Sequence, residues 1–70
     1  MYNNATLVLG TNLYNARLTK GFTQKELSSL TGIPQPTISQ LEKGKLNPSV
    51  KTISKLADAL DKKLVVSFED

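Results

Sequence analysis

Between Thr23 and Gly44 the chain carries more helix-start and helix-stop signals than one long helix or a strand can absorb. Thr23-Gln24-Lys25-Glu26 has the form of a capping box. The Thr23 hydroxyl can accept from the Glu26 amide while the Glu26 carboxylate accepts from the Thr23 amide. Phe22 before the cap and Leu27 at the fourth helical position fit a hydrophobic staple. The helix so begun is short, about Gln24 to Leu30, because Gly32 breaks it. Pro34 and Pro36 fit only at or within the first turn of the next helix, where a missing amide donor costs little. Gly44 closes that helix. Two short helices joined by a tight turn are what this punctuation permits.

The flanking segments are also helical in pattern. Leu9, Leu13, Ala16 and Leu18 give an apolar stripe over a first helix running from near Ala5 or Thr6 to Thr19 and closed by Gly21. Ser49 is a plausible N-cap for a fourth helix, whose stripe is Val50, Ile53, Leu56, Ala57 and Leu60. After Asp61-Lys62-Lys63 the pattern changes. Leu64-Val65-Val66-Ser67-Phe68 is rich in β-branched and aromatic residues and reads as a strand. The expected fold is all-α, four helices over residues 1–63, with a short C-terminal strand and tail over 64–70.

A chain of 70 residues buries only about 60% of its unfolded surface, so its core is marginal without support. With no cysteine and no histidine, disulfides, thiol chemistry and the usual zinc sites are excluded. A lone strand also leaves backbone donors and acceptors unpaired. Antiparallel pairing of Leu64, Val65, Val66, Ser67 and Phe68 with the same strand of a second subunit would answer both needs. The alternative is a strand that packs only on its own helices. No apolar run approaches the ~20 residues of a membrane span. No basic residue precedes Leu7–Leu9 as in a signal peptide, so a soluble cytoplasmic protein is expected.

The charge is unevenly spread. From Thr11 to Lys55 seven basic residues face only Glu26 and Glu42, a net +5, whereas Leu56 to Asp70 carries −2. A basic body suggests a polyanionic partner. Scattered lysines that merely solubilise helices would give the same count.

Two helices at this spacing form a helix-turn-helix, whose second helix fits a DNA major groove. Taking Ile38 as the centre of the buried side and stepping 100° per residue puts Leu41 and Pro34 on the core side. Pro36, Ser39, Gln40 and Lys43 then face outward, with Gln35 in the first turn. Glutamine can pair in two places with adenine, and a proline ring or threonine methyl can touch a thymine methyl. Polar residues facing outward are equally what any soluble helix shows.

The run Phe22-Thr23-Gln24-Lys25-Glu26-Leu27, Gly32-Ile33, Thr37 to Gly44 and Asn47-Pro48-Ser49 closely resembles the Xre/Cro-type helix-turn-helix family, the lambda-repressor-like domains. The resemblance covers roughly Leu9 to Leu60. It implies a DNA-binding repressor that acts as a homodimer on double-stranded DNA and needs no cofactor. By position it implies that Gln35, Pro36, Ser39 and Gln40 face base edges. Gln24, Thr37, Lys43, Lys45 and Asn47 would contact phosphates, and Arg17 and Glu42 would form an ion pair between the first and third helices. The Arg17 head facing a phosphate is the alternative. Pro34 departs from the family, which usually has Ser or Thr there, so the third helix has a weaker cap. The C-terminal strand is similar to that of HipB-like and HigA-like antitoxins, which implies a toxin as a further partner.

An enzyme is not expected, since the chain has no phosphate loop and no carboxylate pair in an apolar frame. Two other classes remain open: a protein-interaction module with little DNA binding, and a phage or mobile-element repressor without a toxin.

Overall fold

A computed structural model describes residues 4–64 of the chain. Four helices follow in order: α1 (Asn4–Lys20), α2 (Gln24–Thr31), α3 (Gln35–Glu42) and α4 (Val50–Ala59). Among the described residues there is no strand. Leu64 lies after α4 without regular structure. Val65, Val66, Ser67 and Phe68, the rest of the expected strand, lie outside the described residues.

Each boundary has a local cause. The Glu26 amide donates to Thr23 Oγ1 at 3.0 Å and the Thr23 amide to Glu26 Oε1 at 2.8 Å, which completes the capping box. After α2 the chain turns at Gly32, φ 75°, and its amide donates to the Ser28 carbonyl at 2.8 Å. Thr31 fastens this turn twice: its hydroxyl donates to the Leu27 carbonyl and accepts from the Ile33 amide. Pro34 is the N-cap of α3 and makes no side-chain cap, in keeping with a ring that has no acceptor. Its carbonyl nevertheless accepts from the Thr37 and Ile38 amides. Ser49 caps α4 through the Thr52 amide at 3.1 Å. Asp61, in the left-handed region at φ 55°, ends that helix and pairs with Lys20. The hydrogen bond from Lys20 holds the Asp61 carboxyl below its ordinary range, so the tie is present at neutral pH and weakens on acidification.

The core is Leu13, Leu27, Ile33, Ile38, Leu41, Ile53, Leu56 and Leu60, with Leu9, Ala16, Phe22, Ala59 and Leu64 packed against it. α3 sits between α1 and α2, and α2 also packs on α4. Three expectations about the apolar stripes need correction. Leu18 is half exposed, because the inward face of α1 is Thr6, Gly10, Leu13 and Arg17. Pro34 is exposed, since it precedes α3 and does not follow the helical phase assumed for it. Val50, at the first position of α4, extends past the core and is exposed.

α1 crosses the end of α3 at Gly10. A Cβ there would stand 2.4 Å from the Leu41 carbonyl oxygen and 2.9 Å from that of Glu42, so α1 meets the end of α3 backbone to backbone. This crossing fixes where α3 ends relative to the rest of the bundle.

Candidate nucleic-acid interface

The outward face of α3 is set by the core beneath it. Ile38 and Leu41 are buried, so Pro36, Gln40 and Lys43 emerge on the opposite side and are exposed. They stand at four- and three-residue intervals and therefore form one stripe along the helix. Gln35 is exposed at the first position of α3. Ser39, expected fully outward, is half-buried, as is Thr37, because both lie at the margins of the buried side. Beyond the helix, Lys45 and Asn47 are exposed in the loop to α4.

One end of this surface is organised by Arg17 and Glu42. Arg17 Nε donates to Glu42 Oε2 at 2.7 Å and Nη2 donates to Oε1 at 3.0 Å, a fork-on-fork pair. Nη1 donates to the Phe22 carbonyl at 2.9 Å, and the guanidinium carbon lies 5.4 Å from the Tyr14 ring centroid. The hydrogen bonds that Arg17 donates to Glu42 raise the Arg17 pKa above its ordinary value, against a desolvation that lowers it. The two side chains are 9% and 4% exposed. Arg17 therefore points inward, and its head does not face outward toward a phosphate.

Sequence reasoning missed a third member of this group. Gln24 Nε2 donates to Glu42 Oε1 at 3.0 Å, so the first residue of α2 is tied to the last residue of α3 and, through it, to α1. A glutamine at the start of a helix gives no sign of such a partner 18 positions away. The electrostatic result is simple. The Glu42 charge is neutralised inside the protein, which leaves Lys43 and Lys45 to set the sign of the surface beside α3.

The exposed stripe offers an amide, a proline ring and a fixed cation, a set suited to hydrogen bonding and anion contact. Among the described residues no group of His, Cys, Asp or Glu is placed to hold a metal ion. None of the described helices is long and apolar enough to cross a membrane.

The sequence profile of the helix-turn-helix family HTH_3 matches residues 13–66, a span that contains all of α2, α3 and α4. The chain belongs to the helix-turn-helix family HTH_3. An uncharacterised HTH-type transcriptional regulator of Haemophilus influenzae is 38% identical over 64 residues, which cover 91% of this chain. The chain spans 65% of that protein's length, just under two thirds. Among solved structures, the restriction-modification controller protein C.AhdI from Aeromonas hydrophila superposes with a TM-score of 0.83 at 33% identity, covering 87% of this chain and 92% of its own. A chain of the HipA–HipB–O2–O3 complex superposes with a TM-score of 0.77 at 27% identity, covering 100% of this chain and 96% of its own. The curated relatives that match this chain are named HTH-type transcriptional regulators, and the chain shares their helix-turn-helix domain.

Proposed function

We propose that this HTH_3 chain is a repressor that occupies an inverted-repeat operator as a homodimer, with α3 in the major groove. The observation that carries the reading is the exposed stripe Pro36, Gln40 and Lys43 on α3, with Lys45 and Asn47 continuing beyond it. In this reading Gln35, Pro36, Ser39 and Gln40 face base edges. Gln24, Thr37, Lys43, Lys45 and Asn47 hold the sugar–phosphate backbone and set the register. Two recognition helices related by a two-fold axis call for half-sites about 10 base pairs apart centre to centre, or a multiple of that. Repression then follows from occupancy of DNA that the polymerase needs. The site of action is the cytoplasm, where the DNA is.

Gln40→Ala tests base reading. It is expected to weaken binding to the operator by about 1–3 kcal/mol with little effect on a random duplex, because an amide paired with a base carries sequence information. Fluorescence anisotropy on both duplexes measures this. Equal loss on the two would mean that Gln40 only touches the backbone.

The dimer is proposed to form through Leu64, Val65, Val66, Ser67 and Phe68 as an antiparallel strand pair. Its support is the β-rich sequence together with the position of Leu64. That residue lies at the edge of an open apolar groove between α1 and α4, lined by Leu9, Leu13, Ala16, Ile53 and Leu60. Removing Val65 to Asp70 is expected to shift sedimentation from dimer to monomer and to lower operator affinity with it. A dimer that survives the truncation would place the contact elsewhere.

A second reading, in which the chain also binds a toxin as an antitoxin, is favoured by the likeness to a chain of the HipA–HipB–O2–O3 complex over its full length. A toxin encoded next to this chain and co-purifying with it would support that reading. A restriction–modification operon in that place would favour a controller instead.

A further inference from the structure

Thr6 and Arg17 are polar residues buried on α1. Eleven positions separate them, close to three helical turns, so they share the face that Gly10 and Leu13 turn inward. Arg17 is accounted for by Glu42. Thr6 reaches across 41 positions of sequence, and its hydroxyl donates to Asn47 Oδ1 at 2.8 Å. Asn47 is itself exposed, in the loop between Gly44 and α4.

A side-chain amide has an acceptor end and a donor end, about 120° apart. A phosphate accepts and never donates, so only the donor end is of use against DNA. The Thr6 hydroxyl engages the Asn47 oxygen, which leaves the Nδ2 donors for another partner. We infer that Thr6 is a positioning residue for the DNA-backbone grip: its buried hydroxyl fixes the Asn47 amide with its donors outward, toward a phosphate. The inference rests on the DNA-binding reading above and gives α1 a part in it. A loop amide without this anchor turns over freely, and in half of its orientations it shows a phosphate an oxygen. The loop is further constrained at its start, where Gly44 sits in the left-handed region at φ 71° and a Cβ would stand 2.6 Å from Leu7 Cδ2. The same helix α1 thus braces both Gly44 and Asn47.

Affinities for an operator and a random duplex, taken across a salt series, test the assignment in the full chain. Thr6→Val, which keeps the shape and removes the hydroxyl, is expected to weaken both duplexes alike by about threefold to tenfold, the usual worth of one hydrogen bond. Asn47→Ala should lose the same amount, and the double variant no more. Thr6→Ser should bind like the unchanged chain. The salt slope should stay put in all of them, because Asn47 is neutral and displaces no counterion, whereas distortion of the lysine-bearing surface would flatten it. Asn47→Asp guards against a Thr6→Val that fails to fold. It keeps an oxygen for Thr6 but turns a carboxylate outward, and it should bind worse than Asn47→Ala. Independent, additive losses from Thr6→Val and Asn47→Ala would overturn the assignment, as would an Asn47→Asp that binds normally. Should the unchanged chain bind neither duplex, the DNA reading itself is wrong, and that outcome is read before any variant is compared.

Discussion

Arg17→Met is expected to lower the stability of the domain by about 3–5 kcal/mol, the usual cost of stranding one partner of a buried ion pair. The variant keeps an unbranched apolar stem, shorter than that of arginine, and removes every donor. Glu42, 4% exposed, would then hold an uncompensated carboxylate with Gln24 Nε2 as its remaining donor. The Phe22 carbonyl would lose the hydrogen bond from Nη1 as well. A domain of this size is stable by about 4–10 kcal/mol in all, so the substitution removes a large part of it. In a thermal melt followed by circular dichroism, the midpoint should fall by roughly 15–30 °C. Arg17→Met with Glu42→Leu should recover part of the loss, because two apolar groups leave no charge stranded. A shift of a few degrees for the single variant would mean that the pair behaves like an exposed one, worth ~1 kcal/mol or less.

Gly10→Val should cost about 3 kcal/mol, a severe case of forcing extra volume into a closed contact. The first atom added would lie 2.4 Å from the Leu41 carbonyl oxygen and 2.9 Å from that of Glu42. Both obstacles are helix backbone and cannot rotate aside as a side chain does. α1 must therefore withdraw from the end of α3, and the ion pair at Glu42 is stretched by the same movement. Glycine is itself a poor helix residue, costing about 1 kcal/mol relative to alanine in mid-helix, so propensity acts in the opposite direction. The contact is the larger effect. Chemical denaturation measures the balance, and an unchanged midpoint would mean that the two helices separate at little cost. Gly10→Ala should show the same sign with a smaller loss.

The elements were legible in the sequence because each carries its own local chemistry. The Thr23–Glu26 box, the Gly32 turn and the Ser49 cap act over four residues or fewer, and all three stand where the sequence puts them. Ile38 and Leu41 also fix the phase of α3, so Pro36, Gln40 and Lys43 could be placed outward from spacing, whereas Ser39 falls at the margin of the buried side. Contacts across the bundle were not legible. Gly10 reads as a weak point in a helix until Leu41 and Glu42 are seen against it. Thr6 reads as an ordinary first-turn threonine, and nothing near it in sequence announces Asn47. Gln24 was expected to reach only outward, yet it is held by Glu42. Pro34 and Val50 were misplaced for a related reason. Helical phase was extended to a residue before α3 and to the first residue of α4, where the core no longer lies beneath the chain.

The proposed reading of sequence by α3 rests on burial beneath that helix and exposure above it. The most direct test is to select duplexes from a randomised library with the full chain and to determine what sequence is enriched. An inverted repeat with half-sites about 10 base pairs apart, or a multiple of that, is the result expected of two recognition helices related by a two-fold axis. Recovery of no common sequence, with all duplexes bound equally or not at all, would contradict base reading by α3.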